Sequence, residues 1–405
     1  MGLGALVESD LADVLVLGAG ISGCALAFHL ARRSVGPVVV YDPATPSAGA
    51  TGRAAGIVTE QLWDPWDVAV VRESKEEYAH LAERYDPTAY AVNGFARWTH
   101  NREAVPVLEA TVERLRSWSV PASNLDLTTL AEKVPWGKFD GVLGAIWSPN
   151  DAVVTPSRMG ELYAERAREL GVDFLLGSPA SHLGREGDHW ELIFGGRPTR
   201  ARRLVVAAGA WSKRVFASIG HPLPLAPYRT QAAVLRPSNV DLRLFPSVHD
   251  IDLDVYVRPE ENGRILAGDG TELVEVDPDR YSTGGDEKFV EHLAESFGSR
   301  FPGWADAELV RAWAGVCIAT PDRHPLIGPV PDAPGLYSLA GFNGYGVMRA
   351  GGAAARLARV LATGEGSERE LELIRPVLPG RFSGPPAPFP IHPGFTLEAG
   401  PAPRF

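Results

Sequence analysis

Apolar and polar positions divide the chain into a small set of elements. The run Asp13 to Leu17 (DVLVL) reads as a short buried strand. It is followed at once by the turn Gly18-Ala-Gly-Ile-Ser-Gly23 and a helical pattern from Cys24 to Arg33. A second apolar strand, Val38 to Tyr41, ends in Asp42, so an acid lies about twenty residues beyond the glycines. Further on, Arg158 to Leu170 predicts a helix, Val172 to Leu176 a strand, and Leu204 to Ala208 another strand ending in Gly209-Ala210-Trp211. These extend one sheet. Between them lie a helical run from about Val68 to Tyr85, a mixed segment from Tyr90 to Trp147, and a strand-like block from His221 to Leu273. The first unit is therefore expected to be discontinuous, comprising 1–90, 150–220 and 312–375, with 91–149 and 221–311 building a second unit. Strict alternation in Asp254-Val-Tyr-Val-Arg-Pro-Glu260 puts Tyr256 and Arg258 on one face of a strand, and Glu261-Asn-Gly263 predicts a hairpin turn after it. Val347 to Thr363 predicts a helix of small residues, and the proline- and glycine-rich stretch 376–405 a surface tail. No repeat of fixed period is present.

Composition narrows the function more than the fold. A chain of 405 residues, 45% hydrophobic, has ample material for two packed units. The formal net charge of −11 argues against a nucleic-acid partner, because that binding rests on basic clusters that neutralise phosphates. The one local cluster, Arg200, Arg202 and Arg203, reads as a solvated turn before a strand. Two cysteines, Cys24 and Cys317, lie far apart, so neither a disulfide framework nor a zinc site is expected. There is no basic start followed by an apolar stretch of signal length, and no run of 18 apolar residues. The expectation is a cytoplasmic protein without a membrane span.

The first strand, glycine turn, helix and acid together form a dinucleotide fingerprint. Gly18 permits the tight turn, Gly20 lets the backbone approach a pyrophosphate, and Gly23 lets the helix pack on the strand. Ile21 and Ser22 open the helix, whose free N–H groups and dipole favour phosphate, and Asp42 is placed to accept hydrogen bonds from ribose hydroxyls. A glycine turn alone would be weak evidence; strand, helix and acid in register make it specific.

Four segments in order resemble the D-amino-acid oxidase, sarcosine oxidase and glycine oxidase family. They are this fingerprint; Gly49-Ala-Thr-Gly-Arg-Ala-Ala-Gly56; Val205-Val-Ala-Ala-Gly-Ala-Trp-Ser212; and the run from Trp313 through Pro325-Leu-Ile-Gly328 to Gly341-Phe-Asn-Gly-Tyr-Gly346. The resemblance implies an α/β fold: a Rossmann-like, GR2-like FAD-binding domain with a second α+β substrate domain on a mainly antiparallel sheet. It implies FAD lying along the first domain, with Thr51, Gly52, Arg53, Ala54, Ala55 and Gly56 near the flavin and Ala208, Gly209 and Trp211 near the adenine end. Gly341, Asn343, Gly344, Tyr345, Gly346, Val347 and Met348 would meet the flavin's pyrimidine side. A strand like that of Tyr256 and Arg258 lines the substrate side in this family, so Tyr256, Arg258 and Tyr345 are the substrate-site candidates.

Two departures qualify the likeness. Cys317 stands where a glycine oxidase-like pattern has the arginine that clamps the substrate carboxylate; a sarcosine oxidase-like alignment instead puts it near a flavin-linking cysteine. The expectation is non-covalent FAD, with a link at Cys317 as the alternative. Met348 stands where the sarcosine oxidase-like pattern has a carboxylate-binding lysine, leaving Arg53, Arg258 or Arg349 as substitutes. The resulting expectation is hydride transfer from the carbon beside the nitrogen of a secondary amine, N-methyl amino acid or cyclic imino acid to FAD. An oxidase passing electrons to oxygen and producing hydrogen peroxide is expected first, a dehydrogenase using a quinone or protein acceptor second. A catalytically altered flavin-binding subunit of a complex is a reading of another class.

Overall fold

The structure is a computed structural model that describes residues 11–238, 245–269, 274–363, 367–382, 384 and 387. Most of the proline-rich tail, and part of the strand-like block between 221 and 273, lie outside these residues.

Five parallel strands form the centre of the first sheet, in the order Asp173–Leu176, Val38–Asp42, Ala12–Leu17, Arg197–Val206 and Leu336–Ala340. A parallel sheet needs cover on both faces, and the alternation of its strands supplies two apolar surfaces. Val14, Val16, Val38, Val40 and Val205 pack under the helices Ile21–Arg32, Pro65–Tyr85, Pro156–Glu169 and Gly346–Ala362. Leu15, Leu17, Val39, Leu204 and Val206 face the other way, with Trp190, Leu192 and Phe216. The small residues of helix Gly346–Ala362 are demanded by close packing. A Cβ on Gly352 would collide with the carbonyl of Val70, and one on Gly351 would lie 2.9 Å from the Tyr163 hydroxyl. Helix Pro65–Tyr85 starts three residues before the periodic run suggests, because Asp64 caps it by accepting from Trp66 N at 2.8 Å and Pro65 occupies its first position.

Arg200, Arg202 and Arg203 are not in a turn. They lie within the ten-residue strand Arg197–Val206, which pairs with both Ala12–Leu17 and His189–Phe194. Its first half is half-exposed and arginine-rich, so the apolar count alone sees only its second half.

The second sheet has eight strands in the order Glu308–Ala319, Ala226–Arg236, Arg264–Asp269, Val255–Glu260, Ser247–Asp250, Phe95–Thr99, Gly144–Ser148 and Ser123–Asn124. Every neighbouring pair is antiparallel except Ser247–Asp250 with Phe95–Thr99. One face is a continuous apolar core: Ala96, Trp98, Ala233, Val248, Val255, Val257, Ile265 and Ala267 pack with Phe289, Leu293 and Phe297 of helix Glu287–Arg300. The intervening residues face away from that core. Asn262 and Gly263 take left-handed φ in the hairpin turn, as the sequence predicts. Among the described residues no helix is long and apolar enough to cross a membrane.

Candidate active site

The glycine turn is bound into the first sheet from both sides. Gly18 N donates to Tyr41 O at 2.8 Å, and Asp42 accepts from Ala19 N and Ala44 N, both at 2.8 Å. A carboxylate offers about four lone-pair sites, so Asp42 fixes the turn while retaining acceptor capacity. Helix Ile21–Arg32 begins at Ile21, earlier than the helical pattern suggests, so Ser22 and Gly23 lie in its first turn. That turn carries neither an acidic residue nor a side-chain cap on Gly20.

The three glycines are required for different reasons. Gly18 has φ +110°, and a Cβ there would strike the carbonyl of Ala207; a Cβ on Gly23 would strike the carbonyl of Gly18. These two serve the fold. Gly20 has φ −67° and ψ 172°, which any residue adopts, and a Cβ there would meet only Thr51 Oγ1 at 3.4 Å. The protein's own packing does not call for glycine at 20; a phosphate approaching the backbone would.

The other segments converge on this turn. Ile21 N donates to Thr51 Oγ1 at 3.1 Å, joining the helix start to the short turn Thr51–Arg53. Gly52 N donates to Ser47 O, and Arg53 is spent on the carbonyls of Ala48 and Gly49 at 2.6 and 3.0 Å. The loop's outer side meets the second sheet: Trp313 Nε1 donates to Arg53 O at 3.1 Å, and Arg258 Nε donates to Ala55 O. Ala54, between these contacts, packs against the core of the first unit. Gly56, at φ +75°, accepts from Val154 N. Ala208 and Gly209 follow the strand whose end is tied to Leu17 O through Ala207 N, and Trp211 Nε1 donates to Asp279 at 2.7 Å.

The C-terminal glycine segment closes the arrangement. Asn343, at φ +54°, donates to Thr320 Oγ1 at 3.0 Å, accepts from Thr320 N at 2.9 Å, and donates through its own N–H to Ile318 O. It thereby staples Gly341–Gly346 to the end of strand Glu308–Ala319. Cys317 on that strand pairs across the ladder with Tyr228, whose hydroxyl would lie 3.0 Å from a Cβ on Gly344. Burial pushes the Cys317 thiol up to about 11 against the opposing hydrogen bond from Tyr228, and the Cys24 thiol up to about 12. Val347 O accepts from Tyr78, and Met348 is buried in the first core.

Tyr345 is buried, edge-on to Trp63 with ring centroids 5.4 Å apart, and burial pushes its phenol well above the ordinary range. Arg97, Arg349 and Arg323 act on its hydroxyl with their positive charge, and Asp67 opposes them. Asp67 and Arg349 are both 0% exposed and paired at 3.0 Å; His324 Nδ1 lies 3.3 Å from the other Asp67 oxygen. Tyr256 sits on the outward face of its strand, over Gly268, and, like Ala55 and Trp313, packs on the small cluster of Ala232, Val234 and Leu266. Trp66 is structural, donating to Leu373 O at 2.8 Å.

The ordered convergence of these four segments agrees with a match over almost the whole chain. The family model described as FAD dependent oxidoreductase covers residues 13–360, from the first strand into the helix after the glycine segment.

The chain belongs to this FAD dependent oxidoreductase family.

Among its relatives, mitochondrial dimethylglycine dehydrogenase of Rattus norvegicus is 26% identical over 386 residues, covering 88% of this chain and 43% of that protein. The glycine oxidase of Bacillus subtilis (strain 168) is 25% identical, covering 90% of this chain and 96% of that one. The chain thus spans less than half the length of the dimethylglycine dehydrogenases it matches. The crystal structure of L-proline dehydrogenase from P. horikoshii superposes with a TM-score of 0.84 at 24% identity, covering 92% of this chain and 98% of that one, and shares the fold. The residues present fit FAD: a glycine at position 20 that packing does not explain, a first helical turn without an acidic residue, and Asp42 with acceptor capacity to spare.

Residues that sequence reasoning missed lie on the second sheet. Arg97 and His249 face the same way as Tyr256, because their strands pair in register. The alternation of FARWT, with an arginine between aromatics, held a signal for Arg97; the parallel pairing that aligns it with His249 did not show.

Proposed function

We propose that the protein oxidises the C–N bond of a secondary amine, an N-methyl amino acid or a cyclic imino acid, with oxygen as electron acceptor. The observation that carries this reading is the outward face of the second sheet, where Trp313 and Arg258 bond to the loop Gly49–Gly56 and Tyr256 lies on the same face. When bound, FAD supplies the hydride acceptor. The chain's own part is to hold the donor carbon in place and exclude water. Tyr256 and Tyr345 bring aromatic walls from opposite units, and Trp63 backs Tyr345. Arg258 holds the loop through Ala55 O, while its own charge is met by Glu260 at 2.7 Å; it acts as a positioning residue.

Cofactor contacts are assigned to Gly20, Ile21, Ser22 and Asp42, with Gly18 and Gly23 shaping the turn that presents them, to the loop from Thr51 to Gly56, to Ala208, Gly209 and Trp211, and to the segment Gly341–Met348. The FAD is non-covalent. A thiol held near 11 is almost fully protonated at neutral pH, and it is the thiolate that reacts. Acid precipitation of the flavin-loaded protein is expected to leave all flavin in the supernatant. Iodoacetamide labelling of Cys317 should be slow at pH 8 and rise only as pH approaches 11; flavin in the pellet would refute the assignment.

Gly268→Ala tests Tyr256. The new methyl would collide with the Tyr256 hydroxyl end and push the ring off its place, while the glycine's φ is ordinary. kcat/KM is expected to fall more than about tenfold, a 1.4 kcal/mol effect, with flavin content and Tm retained. Unchanged kinetics would remove Tyr256 from the site.

A dehydrogenase reading is favoured by the match to dimethylglycine dehydrogenase. The two separate in one assay: stoichiometric hydrogen peroxide during aerobic amine turnover supports the oxidase, whereas turnover only with an added dye or quinone supports the dehydrogenase.

A further inference from the structure

We infer that Arg97, on an inner strand of the second sheet, binds the carboxylate of an amino-acid substrate. The inference rests on the proposed amine site and adds its specificity-determining residue.

The register of the second sheet places Arg97, His249, Tyr256, Gly268, Ala232 and Trp313 on one rung, each pair directly opposed across neighbouring strands. Directly opposed residues share a face. Their sequence neighbours Ala96, Trp98, Val248, Val255, Val257, Ala267 and Ala233 occupy the apolar core behind the sheet. The rung therefore looks away from that core. At one end Trp313 bonds to Arg53 of the flavin loop. At the other end Arg97 donates from Nη1 to Gln61 O at 3.2 Å and lies 5.1 Å over the Phe95 ring, which fixes the direction of its guanidinium.

The arginines suggested by sequence as carboxylate ligands are committed elsewhere. Arg53 is held by Ala48 O and Gly49 O, Arg258 by Ala55 O, Pro259 O and Glu260, and Arg349 by the buried Asp67. His249, beside Arg97 on the rung, is bonded to Asp254 at 3.1 Å, and burial lowers its pKa below the ordinary value, so it is neutral at pH 7. Arg97 is the cation of the rung. It is 4% exposed, and even though burial lowers its pKa to about 10 it stays protonated under physiological conditions. It bonds to Gln61 O, two residues before Trp63, whose ring lies edge-on to Tyr345, so it stands on the Tyr345 side of the rung, where a substrate between Tyr256 and Tyr345 would carry its acid. A planar fork of donors in a water-poor site suits a carboxylate, and the same site disfavours an amine that lacks one.

The test uses the flavin-loaded protein and a matched pair of probes, pyrrole-2-carboxylate and its carboxamide, with binding read from the perturbation of the flavin's visible band. Charge-assisted bonds of this kind correspond to a preference of about 30-fold for the carboxylate in the wild type. In Arg97→Met the preference should vanish, with carboxamide affinity and flavin content unchanged. Arg97→Lys keeps the charge but loses the fork, and should weaken carboxylate binding about tenfold; it carries the test if the Met variant does not fold. A wild type without preference, an Arg97→Met protein that keeps it, or an Arg97→Lys protein with wild-type affinity would each overturn the inference. Failure of the amine reading is distinct: the Arg97-dependent preference would persist while no amine reduces the flavin.

Discussion

Gly20→Ala is expected to leave the apoprotein within about 1 kcal/mol of wild type while weakening FAD binding about a hundredfold, or 2.7 kcal/mol. The reason is the division of labour in the glycine turn. A methyl on Gly20 finds ordinary contact with Thr51 Oγ1 and an ordinary backbone conformation, so the fold tolerates it. The same methyl stands where a pyrophosphate would come against the N–H groups of the helix. Gly18→Ala and Gly23→Ala are the controls. Each drives a Cβ into a backbone carbonyl that cannot move without shifting a strand, and each should lose the folded apoprotein. Thermal unfolding of the apoprotein together with calorimetric FAD titration separates the two effects. A Gly20→Ala protein that binds FAD like wild type would show that the turn is not the phosphate site.

Asp67→Asn is expected to cost about 3–5 kcal/mol of stability, because it leaves a buried guanidinium without its counter-charge. Asp67 and Arg349 are fully buried, and Arg349 lies in the first turn of helix Gly346–Ala362, where the helix dipole already opposes a cation. That cost is a large share of the 5–15 kcal/mol that holds a typical domain folded. Arg349 also stacks 4.8 Å from the Tyr345 ring, so the glycine segment should loosen and FAD affinity fall with it. Replacing both partners by apolar residues of similar size, Asp67→Leu with Arg349→Met, should recover most of the stability. Urea denaturation measures all three. A loss under about 1 kcal/mol in Asp67→Asn would mean the pair is not the strut described here.

Much of this architecture is legible in the chain. The first sheet shows because its strands are apolar runs next to glycine turns, and the spacing from Gly18 to Asp42 is a local pattern. The outward placement of Tyr256 and Arg258 follows from period-two alternation alone. What stayed hidden depends on pairing between distant segments. Nothing local says that Phe95–Thr99 lies parallel to Ser247–Asp250, so Arg97 and His249 could not be joined to Tyr256. The polar half of Arg197–Val206 looked like a turn because its partners, not its composition, make it a strand. Asp67 offered no signal either: a carboxylate two residues into an amphipathic helix ordinarily faces water, and here it meets Arg349, almost three hundred residues away. The arginines proposed to clamp a substrate were plausible by type, and only their hydrogen bonds show them committed to backbone carbonyls, Glu260 and Asp67.

The central claim is that this chain binds FAD and reduces it with an amine. Purified protein reconstituted with FAD and titrated anaerobically with N,N-dimethylglycine, sarcosine, glycine and L-proline tests that claim most directly. At least one of them should bleach the flavin's visible band, with the reduced form stable until an acceptor is added. A flavin-loaded protein whose spectrum none of these compounds changes would contradict it.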